Sequence, residues 1–224
     1  MAIRNWPRLE RPREKLIERG VQSLSDAELL AVLFGSGVRG RSAVDVARDL
    51  LSEFGSLREL LRAERSRCLG RPGLGLARYC MLQSALELAR RHYREMLAVG
   101  PALAAPQAAR AFLLAQLRDR PYEVFCCLHL DNRHRLIAFE ELFRGTIDGA
   151  SVHPREVVRQ TIARNSAAVI FAHNHPSGVA EPSQADELIT QRLREALALV
   201  DVRVLDHIIV GDGRCLSFAE RGML

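Results

Sequence analysis

The stretch that most constrains this chain runs from Asn165 to Asp186. Ala167-Ala-Val-Ile-Phe171 is short, apolar and rich in branched residues, the pattern of a buried strand. After Pro182-Ser183 the period changes, with Leu188, Leu193, Leu197 and Val200 on one helical face. Ser183 suits an N-cap, which sets Asp186 in the first turn of that helix. Residues two apart on an extended chain point to the same side, so His173 and His175 can converge on one atom. Pro176 and Gly178 turn the chain back, and the capped helix then delivers Asp186. Two imidazoles and a carboxylate are the three protein ligands of a catalytic zinc that keeps its fourth position for water. A structural zinc would want four ligands, usually with thiolates, and no cysteine lies near. Singly, each residue has a plainer explanation: a packed or solvent-facing histidine, a helix-dipole aspartate, a capping serine. The metal reading rests on their arrival together at these spacings.

His173-x-His175, seven residues, Ser183, two residues and Asp186 resembles the JAMM (MPN+) metalloprotease motif with every spacing kept. The longer string His-Asn-His-Pro-Ser-Gly, with Pro-Ser ahead of the aspartate, is similar to the bacterial RadC branch of that family. The resemblance implies one Zn2+ per chain on His173, His175 and Asp186, with Ser183 helping to stabilise the oxyanion. It also implies a glutamate base near the start of the first strand after the domain's first helix. Glu123, Glu140 and Glu141 lie on expected strands, and Glu123 in Tyr-Glu-Val-Phe fits that place, with Glu141 as the alternative. The implied reaction is hydrolysis of a peptide or isopeptide bond in an unidentified protein or peptide substrate. A second hypothesis is a DNA-binding accessory of repair or recombination whose metal site is not catalytic.

The chain ahead of this domain is of another kind. Residues 1–100 carry 18 Lys+Arg against 12 Asp+Glu, whereas the remainder carries 14 against 15. Any nucleic-acid contact therefore belongs to the first half. That half reads as helical throughout. Arg13–Arg19 ends at Gly20, Ser25-Asp-Ala-Glu28 has the form of a capping box, and Ser42 caps a helix through Phe54. Leu69-Gly-Arg-Pro-Gly-Leu-Gly-Leu, ahead of a long helix from Tyr79 to Leu97, resembles a helix-hairpin-helix. Its turn amides and following helix N-terminus would meet DNA phosphates without reading bases, giving weak, non-specific binding to duplex DNA through residues 1–98. Arg71 and Arg78 would add charge, and Gly35-Ser-Gly37 is a weaker phosphate-loop candidate.

The prolines of Val99–Pro106 mark a linker, which leaves 1–98 as a helical domain and 107–224 as the hydrolase domain. The second domain opens with a helix from Gln107 to Leu117. Strands follow at 122–130 and 136–143, then a helix from His153, the metal strand with its helix, and a closing hairpin around Gly211-Asp-Gly213. The expected fold class is α+β: an all-helical first domain followed by a mixed α/β JAMM (MPN, cytidine-deaminase-like) domain. His207 reads as a packed core residue or a partner of a metal-bound imidazole, and Asp206 as a group that could orient one.

Rival chemistries fail on residue type. No His-Glu-x-x-His is present. A nucleobase deaminase would need His-x-Glu and Pro-Cys-x-x-Cys, but Asn174 stands between the histidines. The start of the chain lacks the apolar core of a signal peptide, and no apolar run is long enough to span a bilayer. With five cysteines and no CxxC pair, a reduced, cytoplasmic protein without membrane contact is expected.

Overall fold

Hydroxyl caps decide where three of the early helices begin. The computed structural model describes residues 3–99, 106–145 and 152–224. Ser25 and Ser42 each close a reciprocal box, with Glu28 and Asp45, at the heads of α2 (Asp26–Phe34) and α3 (Ala43–Phe54). Ser56 caps α4 (Leu57–Arg62) through the amide of Glu59. With α1 (Pro12–Arg19), α5 (Arg65–Cys68) and the start of α6 (Leu76–Val99), these helices enclose Leu30, Phe34, Val46, Leu50, Leu60 and Leu74. The chain makes a tight hairpin between α2 and α3 and again between α5 and α6. Each is closed by one antiparallel bridge, Val38 with Arg41 and Arg71 with Leu74. Gly73 takes φ +84°, and a β-carbon there would sit 2.4 Å from Val46 Cγ1, so only glycine fits.

Two compact units divide the chain, Met1–Glu87 and Leu88–Leu224. The division lies inside α6, ahead of the expected boundary at 98. The reason is packing: Leu97 is buried in the second unit's core, and Tyr93 lies against it. The expected linker at 99–106 begins on the last residue of α6 and ends on the first of α7 (Pro106–Leu117), where proline is well suited to a helix start. Its intervening residues lie outside the described ones.

The second unit is built on a five-stranded mixed sheet in the order β2-β1-β3-β4-β5. β1 (Val124–Leu130) pairs antiparallel with β2 (Leu136–Arg144) and with β3 (Ala168–Asn174). β3 runs parallel to β4 (Arg203–Val210), which turns back into β5 (Cys215–Ser217). Every residue of β1 and β3 is buried, because both faces of the sheet are covered. Phe112, Leu113 and Leu117 of α7 pack on one face, against Val124, Cys126 and Leu128. Val157 of α8 (Pro154–Ala163) and Leu193 and Leu197 of α9 (Gln184–Ala198) pack on the other, against Phe125, Val169 and Phe171. The architecture is α+β, a helical first part followed by a mixed sheet with helices. Among the described residues no helix is long and apolar enough to cross a membrane.

Candidate metal centre

The C-terminal end of β3 carries the site. Alternation along the strand puts His173 on the same face as Val169 and Phe171, beneath α9. His175 follows the strand's end, and its amide donates to the Val210 carbonyl at 3.0 Å, which prolongs the pairing with β4. Asp186 comes from the first turn of α9, where it is also half of a capping box. It accepts from the Ser183 amide and hydroxyl, both at 2.7 Å, while its own amide donates to Ser183 Oγ at 3.2 Å. The expected ligands are thereby brought together, with the ligand atoms of His173, His175 and Asp186 within 4.8 Å of one another.

The donor set at this point has a definite imbalance. His175 Nδ1 lies 2.8 Å from the Val179 carbonyl, which can only accept, so that nitrogen carries the hydrogen. A neutral His175 then turns a bare Nε2 toward His173 Nε2, 2.9 Å away, and toward Asp186 Oδ2, 3.7 Å away. His173 Nε2 is itself 3.2 Å from Asp186 Oδ1. With the His173 hydrogen on Nδ1, which lies 2.8 Å from His207 Nε2, all these atoms are acceptors, and they need a proton or a cation between them. The Asp186 carboxylate is the main influence raising the pKa of His175, against burial, and the charge of Glu123 adds to it. Burial works to raise the Asp186 carboxyl, but the two imidazoles beside it and the hydrogen bond from Ser183 outweigh it and hold the group far below the usual carboxylate range. Three nitrogen and oxygen ligands at one point fit a zinc ion with a fourth position open.

Comparison with known proteins places the fold around this site. The family model of the RadC-like JAB domain matches residues 103–223. A second, UPF0758 N-terminal, matches residues 3–80. The chain belongs to the RadC family. It is 65% identical over its full length to a UPF0758 protein of Nitrosococcus oceani, also over that protein's full length. Identity is 63% to a relative of the same name from Halorhodospira halophila and 60% to one from Azotobacter vinelandii, with complete coverage on both sides.

In this RadC-family chain the three candidate base carboxylates have different surroundings. Glu141 is engaged by Arg120 and, at 3.1 Å, by Arg144. Glu140 is engaged by Arg164 and lies 3.4 Å from the buried His129. Glu123 directly precedes β1, half-buried, and its charge acts on His175. Ser183 gives its hydroxyl proton to Asp186 in this structure, so the expected oxyanion donor serves here as a cap. Asp206 does not orient an imidazole ring as expected. Its oxygens accept from Ser217 Oγ and from the amides of His207 and Ala219, because its side chain turns toward the β5 end.

Asn174 has a part that the motif does not disclose. Its Oδ1 accepts from the Val124 amide at 2.9 Å and its Nδ2 donates to the Tyr122 carbonyl at 3.0 Å. The side chain thus holds the backbone on both sides of Glu123 and ties it to the ligand strand. The only sequence signal was its place between two histidines, which pointed no further than the exclusion of a deaminase.

Proposed function

We propose that the protein is a zinc-dependent hydrolase of peptide or isopeptide bonds. The observation that carries the reading is the meeting of two imidazole nitrogens and a carboxylate whose lone pairs face one another. His173, His175 and Asp186 would hold one zinc ion per chain. Bound zinc supplies a water whose pKa is lowered to about 7 and polarises the scissile carbonyl. Glu123 takes the proton of the attacking water and passes it to the leaving amine, and Asn174 keeps that carboxylate's backbone in register with the ligand strand. Ser183 is assigned to the oxyanion, for which its hydroxyl must leave Asp186. Five unbridged cysteines support a reducing, cytoplasmic setting.

The test is Glu123→Gln, which keeps the shape but not the basicity. Zinc content should be unchanged while cleavage of a peptide mixture, followed by mass spectrometry, falls by about 10²- to 10⁴-fold. A dead Glu141→Gln beside an active Glu123→Gln would move the base to Glu141. Ser183→Ala should lower turnover by roughly 10²-fold with zinc retained. A change in stability alone would confine Ser183 to the cap.

A second reading, a DNA-binding accessory with a non-catalytic metal site, is supported by the basic excess of residues 1–100. It is distinguished by phenotype. On that reading removal of the first unit matters to the cell and Glu123→Ala does not.

A further inference from the structure

The buried face behind the ligands holds a hydrogen-bonded chain that the proposed chemistry does not use. His173 Nδ1 lies 2.8 Å from His207 Nε2. His207 Nδ1 lies 2.5 Å from Thr190 Oγ1, and that hydroxyl lies 2.5 Å from the backbone carbonyl of Asp186. The links are 34 and 17 residues apart in sequence, and they start on one candidate ligand and end on another. His207 reaches its place through the parallel pairing of β3 with β4, which sets it beside Phe171 on the face that carries His173. The rings of Phe125, Phe171 and Phe218 surround it at 5.4, 6.3 and 4.8 Å between centroids. Both His207 and Thr190 are almost wholly buried.

The direction of this chain follows from its last member. A carbonyl can only accept, so the Thr190 hydroxyl donates to Asp186. That hydroxyl, its proton spent, receives the Nδ1 hydrogen of His207. The Nε2 of a neutral His207 is then bare and accepts the Nδ1 hydrogen of His173. The one nitrogen of His173 left with a lone pair is Nε2, and it is the atom that faces His175 and Asp186. Every donor in the chain has an acceptor, which is the condition a buried polar network must meet.

We infer that Thr190 and His207 are positioning residues that fix the tautomer of His173, so that its Nε2 lone pair is presented to the metal before the metal arrives. Ligating histidines commonly give their other N–H to a carboxylate or a carbonyl. Here a second imidazole takes that place, and the α9 turn that carries Asp186 sets its orientation. The two ligands, from strand and helix, are thereby coupled through the protein interior. The inference rests on the metal assignment above, but its tautomer component can be read separately.

The experiment uses the full chain with nitrogen-15-labelled histidine and zinc alone as the probe. Long-range proton–nitrogen correlation should show His173 and His207 both carrying hydrogen on Nδ1. Thr190→Val keeps the shape and deletes the hydroxyl. His207 should then shift to the Nε2–H form, His173 should follow, and zinc affinity, by competition with a chelating indicator, should fall roughly 10- to 100-fold. Thr190→Ser should restore both signals. His207→Gln, whose carbonyl can accept from His173, should retain more affinity than His207→Phe. A Thr190→Val protein with the wild-type His173 tautomer and wild-type affinity would overturn the inference. A wild-type protein that takes up no zinc would overturn the metal assignment instead, and the nitrogen shifts would still decide the relay.

Discussion

The two halves of the chain each present a short glycine-bearing motif flanked by polar side chains, and they spend those side chains in opposite ways. At the end of β3 the imidazoles and the carboxylate converge with lone pairs left over, 2.9 and 3.2 Å apart. In the helical unit the polar groups turn back onto the protein. Arg78 donates to the carbonyls of Gly73 at 2.6 Å, Ser36 at 2.5 Å and Gly37 at 3.3 Å, and lies over the ring of Phe34. It is therefore engaged in joining the two hairpins, not disposed toward phosphate as the sequence suggests. Gly35-Ser-Gly37, the weaker phosphate-loop candidate, is part of the same arrangement. A motif points to function to the extent that its donors and acceptors remain after folding has used its share.

The largest effect should come from removing one of the surplus acceptors. Asp186→Asn keeps an oxygen to accept from the Ser183 amide, so α9 stays capped and stability should change by less than about 1 kcal/mol. The negative charge is gone, and zinc binding should weaken by more than the roughly 10- to 100-fold that loss of an outer partner costs. Elemental analysis of the purified protein decides. Full zinc content in both Asp186→Asn and His173→Ala would erase the contrast between the halves.

Gly73→Val addresses the other half. The left-handed φ and the contact with Val46 each carry a penalty of about 1–3 kcal/mol. Calorimetry on the full chain should show the helical unit's transition lowered and zinc content unchanged. An unaltered transition would mean that Val46 yields easily and that the glycine is there for something else.

What could be read beforehand follows the range of each interaction. The caps at Ser25, Ser42 and Ser183 are local, each reaching only three residues ahead, and all three form, as capping boxes. The strand spacing of His173 and His175 and the first-turn position of Asp186 are local too, and they bring the three together. His207 was open to two readings, a core residue or an imidazole's partner, while the Asn174 clamp and the link through Thr190 depend on which elements lie side by side, and periodicity carries no such information. Arg78 misled for the same reason, since its partners at Ser36 and Gly37 are some forty residues away. The last residue of the expected linker, Pro106, starts a helix, because proline suits the first helical position as well as a break.

A smaller effect separates the halves by pH. Burial pushes the Glu28 carboxyl up, but the Ser25 amide, Lys15 and the Ser25 hydroxyl together outweigh it and hold the group below its ordinary 4.5. A carboxylate depressed by folding contributes stability that is complete above its unfolded pKa and is lost as pH falls through the folded one. The helical unit's transition should therefore drop as pH is lowered from about 5. Glu28→Gln, which can keep the capping box, should flatten that dependence, with a loss at neutral pH of about 1 kcal/mol or less. A slope that survives in Glu28→Gln would assign it to other carboxylates.

The smallest effect tests what the helical unit has left to offer nucleic acid. Gly75 differs from Gly73, because a β-carbon there would meet no atom within 4 Å and its φ is not left-handed. Alanine should therefore leave the fold intact while adding a methyl where a phosphate would approach the backbone ahead of α6. Arg71 pairs with Glu53 at 2.9 Å, but both side chains are exposed at 46% and 40%, and such a pair contributes little that a phosphate could not replace. Arg71, unlike Arg78, can turn outward. The full chain should bind duplex DNA weakly, with an affinity that falls steeply with salt and little with sequence. Gly75→Ala should weaken that binding several-fold at low salt and leave circular dichroism and zinc content unchanged. Arg71→Ala should reduce the salt slope by about one ion. If both variants bind as the wild type does, the turn is a connector between two core helices, and the first half keeps no surplus at this turn.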